Sequence, residues 1–149
     1  MEEKQRPILY LLGILALLAL AFLIFIFREP GSASPAADYG PPPDGDRAKV
    51  VWVYDGDTVK VEMRGREYDV RYIGVDTPER DQPYYDEAFD ANMDMVKNET
   101  VILVQDVSDT DQYDRLLRYI YLRDGTFVNA DLLRNGYGRT INIPPDVAY

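Results

Sequence analysis

Asp55-Gly56-Asp57-Thr58, Arg71 and Val75-Asp76-Thr77-Pro78-Glu79 put three candidate carboxylates (Asp57, Asp76, Glu79) and one guanidinium into a short stretch of chain. Carboxylates are hard oxygen ligands suited to a divalent cation, and an arginine beside them neutralises charge developing on a phosphate. The chemistry these types can carry together is metal-assisted attack on a phosphodiester. Histidine and cysteine are absent. That excludes disulfides, thiolate metal sites and the usual general base, and leaves acid–base work to Asp, Glu, Tyr, Lys or Arg.

Each motif also has a plainer reading. Asp55-Gly56-Asp57 alone is a turn, because Asp hydrogen-bonds its own backbone. Asp76-Thr77-Pro78-Glu79 alone is a turn or a helix start, with Thr77 as N-cap and Pro78 at the first helical position. Arg115, set among Asp109, Asp111 and Asp114, reads as a solvated ion-pair cluster worth little. Arg71 resists this treatment: inside an apolar strand its charge needs a partner, since an unpaired buried charge costs several kcal/mol. The motifs in combination outweigh the plain readings.

The elements that must position these residues are short strands. Lys49–Tyr54 is β-branched and aromatic, and Asp55-Gly56 ends it. In Thr58–Met63 the alternation puts Val59, Val61 and Met63 on one face, and by parity Asp57 shares that face at the mouth of the sheet. Arg64-Gly65 fits a two-residue hairpin turn. Glu67–Val75 follows, with Arg71, Ile73 and Val75 on one face and Val70 and Tyr72 on the other, which completes a three-stranded meander. Asp81–Asn98 has helical spacing of Tyr85, Phe89, Met93 and Val96. Thr100–Gln105 and Leu116–Arg123 are two further strands around the acidic loop Asp106–Asp114, and Val128–Asn135 is a short helix ended by Gly136. The fold class is therefore α+β, mainly β, with five strands and two helices.

Residues 8–27 form an uninterrupted apolar run of 20 residues, Ile8–Phe27. As a helix it spans about 30 Å, the thickness of a bilayer core, and reads as a transmembrane anchor. Lys4 and Arg6 in residues 1–7 favour a cytoplasmic N-terminus and an extracytoplasmic domain. The competing expectation is a signal peptide cleaved near Ala33, Ala36 or Ala37 and a secreted product. Residues 28–46, rich in Pro and Gly, form a linker, and residues 47–149 the folded domain. The formal net charge is −10; residues 1–29 hold three of the 16 basic and three of the 26 acidic side chains, leaving 13 against 23 beyond. Such a balance repels a polyanion at long range.

Asp55-Gly56-Asp57-Thr58, Arg71 four residues before Val75, Val75-Asp76-Thr77-Pro78-Glu79 and Asp111-Gln112-Tyr113-Asp114-Arg115-Leu116-Leu117 together resemble the staphylococcal nuclease (thermonuclease) family, from about Val50 to the end. The resemblance implies a five-stranded OB-type barrel with packed helices, an architecture that suits single-stranded nucleic acid. It implies a Ca²⁺ ion on Asp57, Asp76 and the backbone carbonyl of Thr77. Glu79 would orient or deprotonate the attacking water, Arg71 and Arg115 would hold the scissile phosphate, and Tyr113 would touch the substrate. Cleavage of DNA or RNA at the P–O5′ bond would leave 3′-phosphates. Two departures stand out: Asp114 occupies a position where family members often have glycine, and the C-terminal helix of the family is not expected here. Two other expectations stay open: a membrane-tethered, non-catalytic OB-type binding module, and an inactive truncated fragment.

Overall fold

A computed structural model describes residues 40–148. The apolar run Ile8–Phe27 and most of the linker lie outside the described residues, among which no helix is long and apolar enough to cross a membrane. β1 (Asp46–Val53), β2 (Thr58–Met63) and β3 (Arg66–Tyr72) form the expected antiparallel meander. Arg64 and Gly65 both have positive φ, 53° and 75°. That geometry matches the twist of the strands they join, and Met63 pairs with Arg66 across it. β4 is the two-residue Val75–Asp76. Helix α1 (Tyr85–Val96), β5 (Thr100–Val104), β6 (Leu116–Tyr121), helix α2 (Val128–Arg134) and β7 (Arg139–Thr140) follow.

The barrel closes in the order β1-β2-β3-β6-β5. β3 and β6 run parallel, with Arg71 opposite Leu117, and β5 returns antiparallel to β1. β4 and β7 pair apart from the barrel as a small two-stranded sheet, and closure leaves the barrel itself with no edge strand. Inward positions of all five strands fill it: Val50, Val59, Val61, Val70, Tyr72, Val101 and Ile120 are fully or almost fully buried, joined by Val96 of α1 and Val128 and Leu132 of α2. Two buried asparagines fasten the helices. Asn92 accepts the Tyr72 hydroxyl at 2.9 Å and donates to the Asp55 carbonyl at 2.8 Å. Asn129 accepts the Ile120 amide at 2.9 Å and donates to the Ile73 carbonyl at 2.8 Å.

Several boundaries differ from the sequence reading. β1 begins at Asp46, inside the expected linker, because Asp46 to Lys49 pair with β5. The third strand stops at Tyr72 and not Val75. Gly74 turns the chain at φ +78°, a region glycine enters without steric cost. Alternation does not survive that turn: Val75 joins Val70 and Tyr72 in the barrel core, while Ile73 packs with Ile102, Tyr119, Tyr121 and Phe127. α1 starts at Tyr85, four residues later than Asp81, since Tyr84 at its N-terminus sits at φ +68°. β6 ends at Tyr121 rather than Arg123.

Candidate functional site

Asp57 is the most enclosed member of the expected site, only 5% exposed. One oxygen, Oδ2, accepts the Thr77 amide at 2.7 Å and the Thr77 hydroxyl at 2.8 Å. The other, Oδ1, accepts the Thr58 hydroxyl at 3.1 Å and faces Arg71 Nε at 3.1 Å. Thr77 thus serves Asp57 and does not cap the helix. Gly56 makes the approach possible: a Cβ there would come within 2.8 Å of the Thr77 side chain. Burial pushes the Asp57 carboxyl above the usual carboxylate range, with the Arg71 charge and the Thr77 amide pulling against it.

Arg71 reaches out of β3 to bind the turn that follows. Its Nη1 donates to the carbonyls of Tyr72 at 2.8 Å and Val75 at 2.6 Å. Its Nη2 meets Asp76 Oδ1 only at 3.6 Å, beyond hydrogen-bond reach. The Nε and Nη1 side of the guanidinium is fixed by Asp57 and backbone. Among the described residues Nη2 makes no hydrogen bond and has only the Asp76 charge at ion-pair distance. Asp76 is held from its far side by Arg139, whose Nε and Nη2 lie 2.8 and 2.7 Å from Oδ2.

Arg115 has a separate support. Asp111 Oδ2 receives its Nε at 2.8 Å and its Nη2 at 2.7 Å, while Asp111 Oδ1 receives the amides of Tyr113 at 2.9 Å and Arg115 at 3.0 Å. Asp111 is therefore an organiser of this loop, not one of three equivalent acids; Asp109 pairs with Arg118 at 2.6 Å instead. Burial pushes the Asp111 carboxyl up, but the Arg115 side chain and the two amides outweigh it and hold the carboxyl below its ordinary range. The Arg115 guanidinium also lies 5.5 Å from the Tyr113 ring centre. Asp114 adopts φ +62°, a left-handed conformation that glycine takes freely and that Asp tolerates better than most side chains.

Arg71, Tyr113 and Arg115 line one cleft of about 410 Å³, floored by Ile73, Leu117 and Ile141. Asp57, Asp76 and Thr77 adjoin it through Arg71. Glu79 stands apart: it is exposed, its amide donates to Gln82 Oε1 at 3.1 Å, and its carboxylate has no partner among the described residues. Among those residues no three acidic or imidazole side chains converge tightly enough to hold a metal ion. Asp57 and Asp76 meet through Arg71, and both offer oxygen, the donor type that a hard cation takes.

Sequence reasoning missed Arg139 and Asp146. Asp146, buried near the end of the described residues, accepts the amides of Val107 at 3.0 Å and Ser108 at 2.7 Å and so clips the tail onto the loop carrying Arg115. Burial pushes its carboxyl up, but those bonds prevail and hold it low. Neither residue has a local signal. Arg139 meets Asp76 from 63 positions away and Asp146 meets Ser108 from 38.

A family model described as staphylococcal nuclease homologue matches residues 69–148. The chain is 34% identical over 139 residues to a thermonuclease of Staphylococcus intermedius, covering 89% of this chain and 82% of that protein. It is 37% identical over 107 residues to a thermonuclease of Staphylococcus hyicus, covering 68% and 63% of the two chains. It is 39% identical over 103 residues to endonuclease YncB of Bacillus subtilis, covering 64% of this chain and about half, 48%, of that one.

Proposed function

The chain belongs to the staphylococcal nuclease family and is a nuclease by that membership, and on that premise we propose that it is a calcium-dependent endonuclease acting on DNA or RNA with little sequence preference. The observation that carries the reading is the convergence of Arg71 and Arg115 on one cleft, with Asp57 and Asp76 against the back of Arg71. Two guanidiniums offering unsatisfied N–H groups to one space match the oxygens of a phosphodiester, whose charge grows in the pentacoordinate transition state. Asp57, Asp76 and the Thr77 carbonyl would hold the calcium ion. A divalent ion there supplies Lewis-acid polarisation of a phosphoryl oxygen.

The chain's own residues do the rest. Arg71 and Arg115 orient the phosphate, and Tyr113, 70% exposed at the cleft, borders the substrate. Glu79 takes a proton from the attacking water; with no histidine in the chain, it is a solvated carboxylate two residues beyond Thr77 whose side chain has no partner among the described residues. The new P–O bond forms as the P–O5′ bond breaks, so the products carry 3′-phosphates and the 5′-oxygen leaves with a proton from solvent. In the same proposal Ile8–Phe27 anchors the chain in a membrane with the domain outside, where calcium sites of about 10⁻⁴–10⁻³ M are filled.

The test is degradation of single- and double-stranded DNA and of RNA by the full chain, with Ca²⁺ and with chelator, alongside Glu79→Gln. Cleavage that stops with chelator and falls at least ~10²-fold in the variant is expected. Undiminished cleavage in chelator would remove calcium from the reading. A folded chain that binds oligonucleotides and cuts none would make it a binding module. Protease added to intact cells should remove the domain, and its protection would reverse the topology.

A further inference from the structure

The outer face of β1 carries an aromatic surface that the active centre does not use. A register shift between Val50 and Trp52 marks a β-bulge. Ala48 and Val50 point inward, the bulge turns both Val51 and Trp52 outward, and Val53 resumes the inward set. Plain alternation from Val50 would bury Trp52. Instead it is 60% exposed, and bulges are a recurrent way of re-aiming a side chain beside an active site. Trp52 lines a groove of about 490 Å³ with Tyr54, Arg80, Tyr85, Asp86 and Phe89. Tyr85 and Phe89 are stacked at 6.2 Å with 14° between their planes, and the Tyr85 hydroxyl donates to the Tyr54 carbonyl at 3.4 Å.

This groove shares no lining residue with the arginine cleft, but the chain joins it closely to the residues of the centre described above. Tyr54 opens the loop that ends at Asp57, at most about 11 Å of chain away, and Arg80 directly follows Glu79. Its charges, one arginine and one aspartate, cancel, in a chain with 23 acidic against 13 basic side chains beyond residue 29. A polyanion cannot be held here by a basic track. Every base has a π-face, however, and stacking on aromatic side chains needs no net charge and no particular sequence.

Resting on the nuclease reading, we propose that Trp52, Tyr54 and the Tyr85–Phe89 pair form a stacking platform for the bases of a single-stranded segment flanking the scissile phosphate. Binding then depends weakly on salt, because few counterions are released, and strongly on the presence of bases.

The experiment uses the full chain with chelator, so that nothing is cut, and an oligothymidylate of about 12 nucleotides, within the span such folds cover. Trp52 is the chain's one tryptophan, so its fluorescence reports the platform directly. Quenching by the oligonucleotide is expected, with much weaker binding of an abasic strand of equal length and charge. By anisotropy of a labelled strand, Trp52→Ala should raise Kd by roughly fivefold or more and Trp52→Phe by less. With Ca²⁺, Trp52→Ala should raise KM on the long strand and leave cleavage of a dinucleotide unchanged. Equal affinity of Trp52→Ala and the parent chain, or of the abasic and normal strands, would overturn the proposal. So would quenching by brominated phosphatidylcholine vesicles that the oligonucleotide does not reverse, which would seat the patch on a bilayer. A chain that cuts nothing, yet loses oligonucleotide affinity on Trp52→Ala, supports the platform and overturns the nuclease reading.

Discussion

The two arginines that share the cleft are held by opposite means. Arg71 rises from a strand of the closed barrel, 17% exposed, with a buried carboxylate and two backbone carbonyls around it. Arg115 sits on the end of a loop, 31% exposed, fixed by one carboxylate that also pins two amides. The first arrangement is part of the core's polar satisfaction, since among the described residues no buried side-chain polar atom lacks a partner. The second is a local brace that the tail reinforces through Asp146. Strand-built and loop-built halves of one site should therefore fail differently.

The sharpest contrast comes from truncating each arginine. Arg71→Ala leaves Asp57 buried without its counter-charge, and breaking such a pair costs about 3–5 kcal/mol. Denaturant unfolding should show that loss, with activity abolished; an unchanged midpoint would make the two halves equivalent. Arg115→Ala should leave the midpoint nearly unmoved and lower kcat at least ~10²-fold, the size expected for a lost charge-stabilising donor. Circular dichroism and cleavage rates measured together separate the two.

Asp146→Ala reaches the loop half from outside the cleft. It strips the Val107 and Ser108 amides of their acceptor, a loss of about 1–3 kcal/mol if they stay dry. The effect should appear as faster amide exchange across residues 106–115 and a higher KM, without change at β2 or β3. Uniformly faster exchange over the barrel would show that the clip supports the whole fold.

The smallest effect is in acid. Asp111 and Asp146 are held below the ordinary aspartate value of 3.8, so their stabilisation is complete above the unfolded value and fades as pH falls through the folded ones. Asp57, shifted upward by burial, adds nothing to that loss. Amides of the Asp106–Asp114 loop should lose protection below about pH 4, before those of β2 and β3. Simultaneous loss in both regions would erase the distinction.

Legibility followed the same division. The strand half was written locally: Val59 and Val61 alternate inward, Arg64-Gly65 turns the hairpin, and Arg71 in an apolar run demanded a partner. The loop half was not. Asp109, Asp111 and Asp114 look alike in sequence, and only folding makes one of them the brace of Arg115, one the partner of Arg118 and one a left-handed turn residue. Glu79 was legible as a candidate, but the fold leaves it solvated and apart from the cluster.

By itself, the sequence determined the five strands of the barrel, the two helices and the set of side chains able to do the chemistry, because side-chain period and turn residues act over a few positions. The short β4 and β7 were not read. Tertiary structure alone decided that β3 lies parallel to β6, which brings Arg71 and Arg115 to one cleft. It decided too that the chain turns at Gly74 to return Val75 to the core, and that Arg139 and Asp146 come back to Asp76 and Ser108. These contacts are set by barrel closure and by burial. Their energies depend on groups tens of residues apart, which no local pattern records.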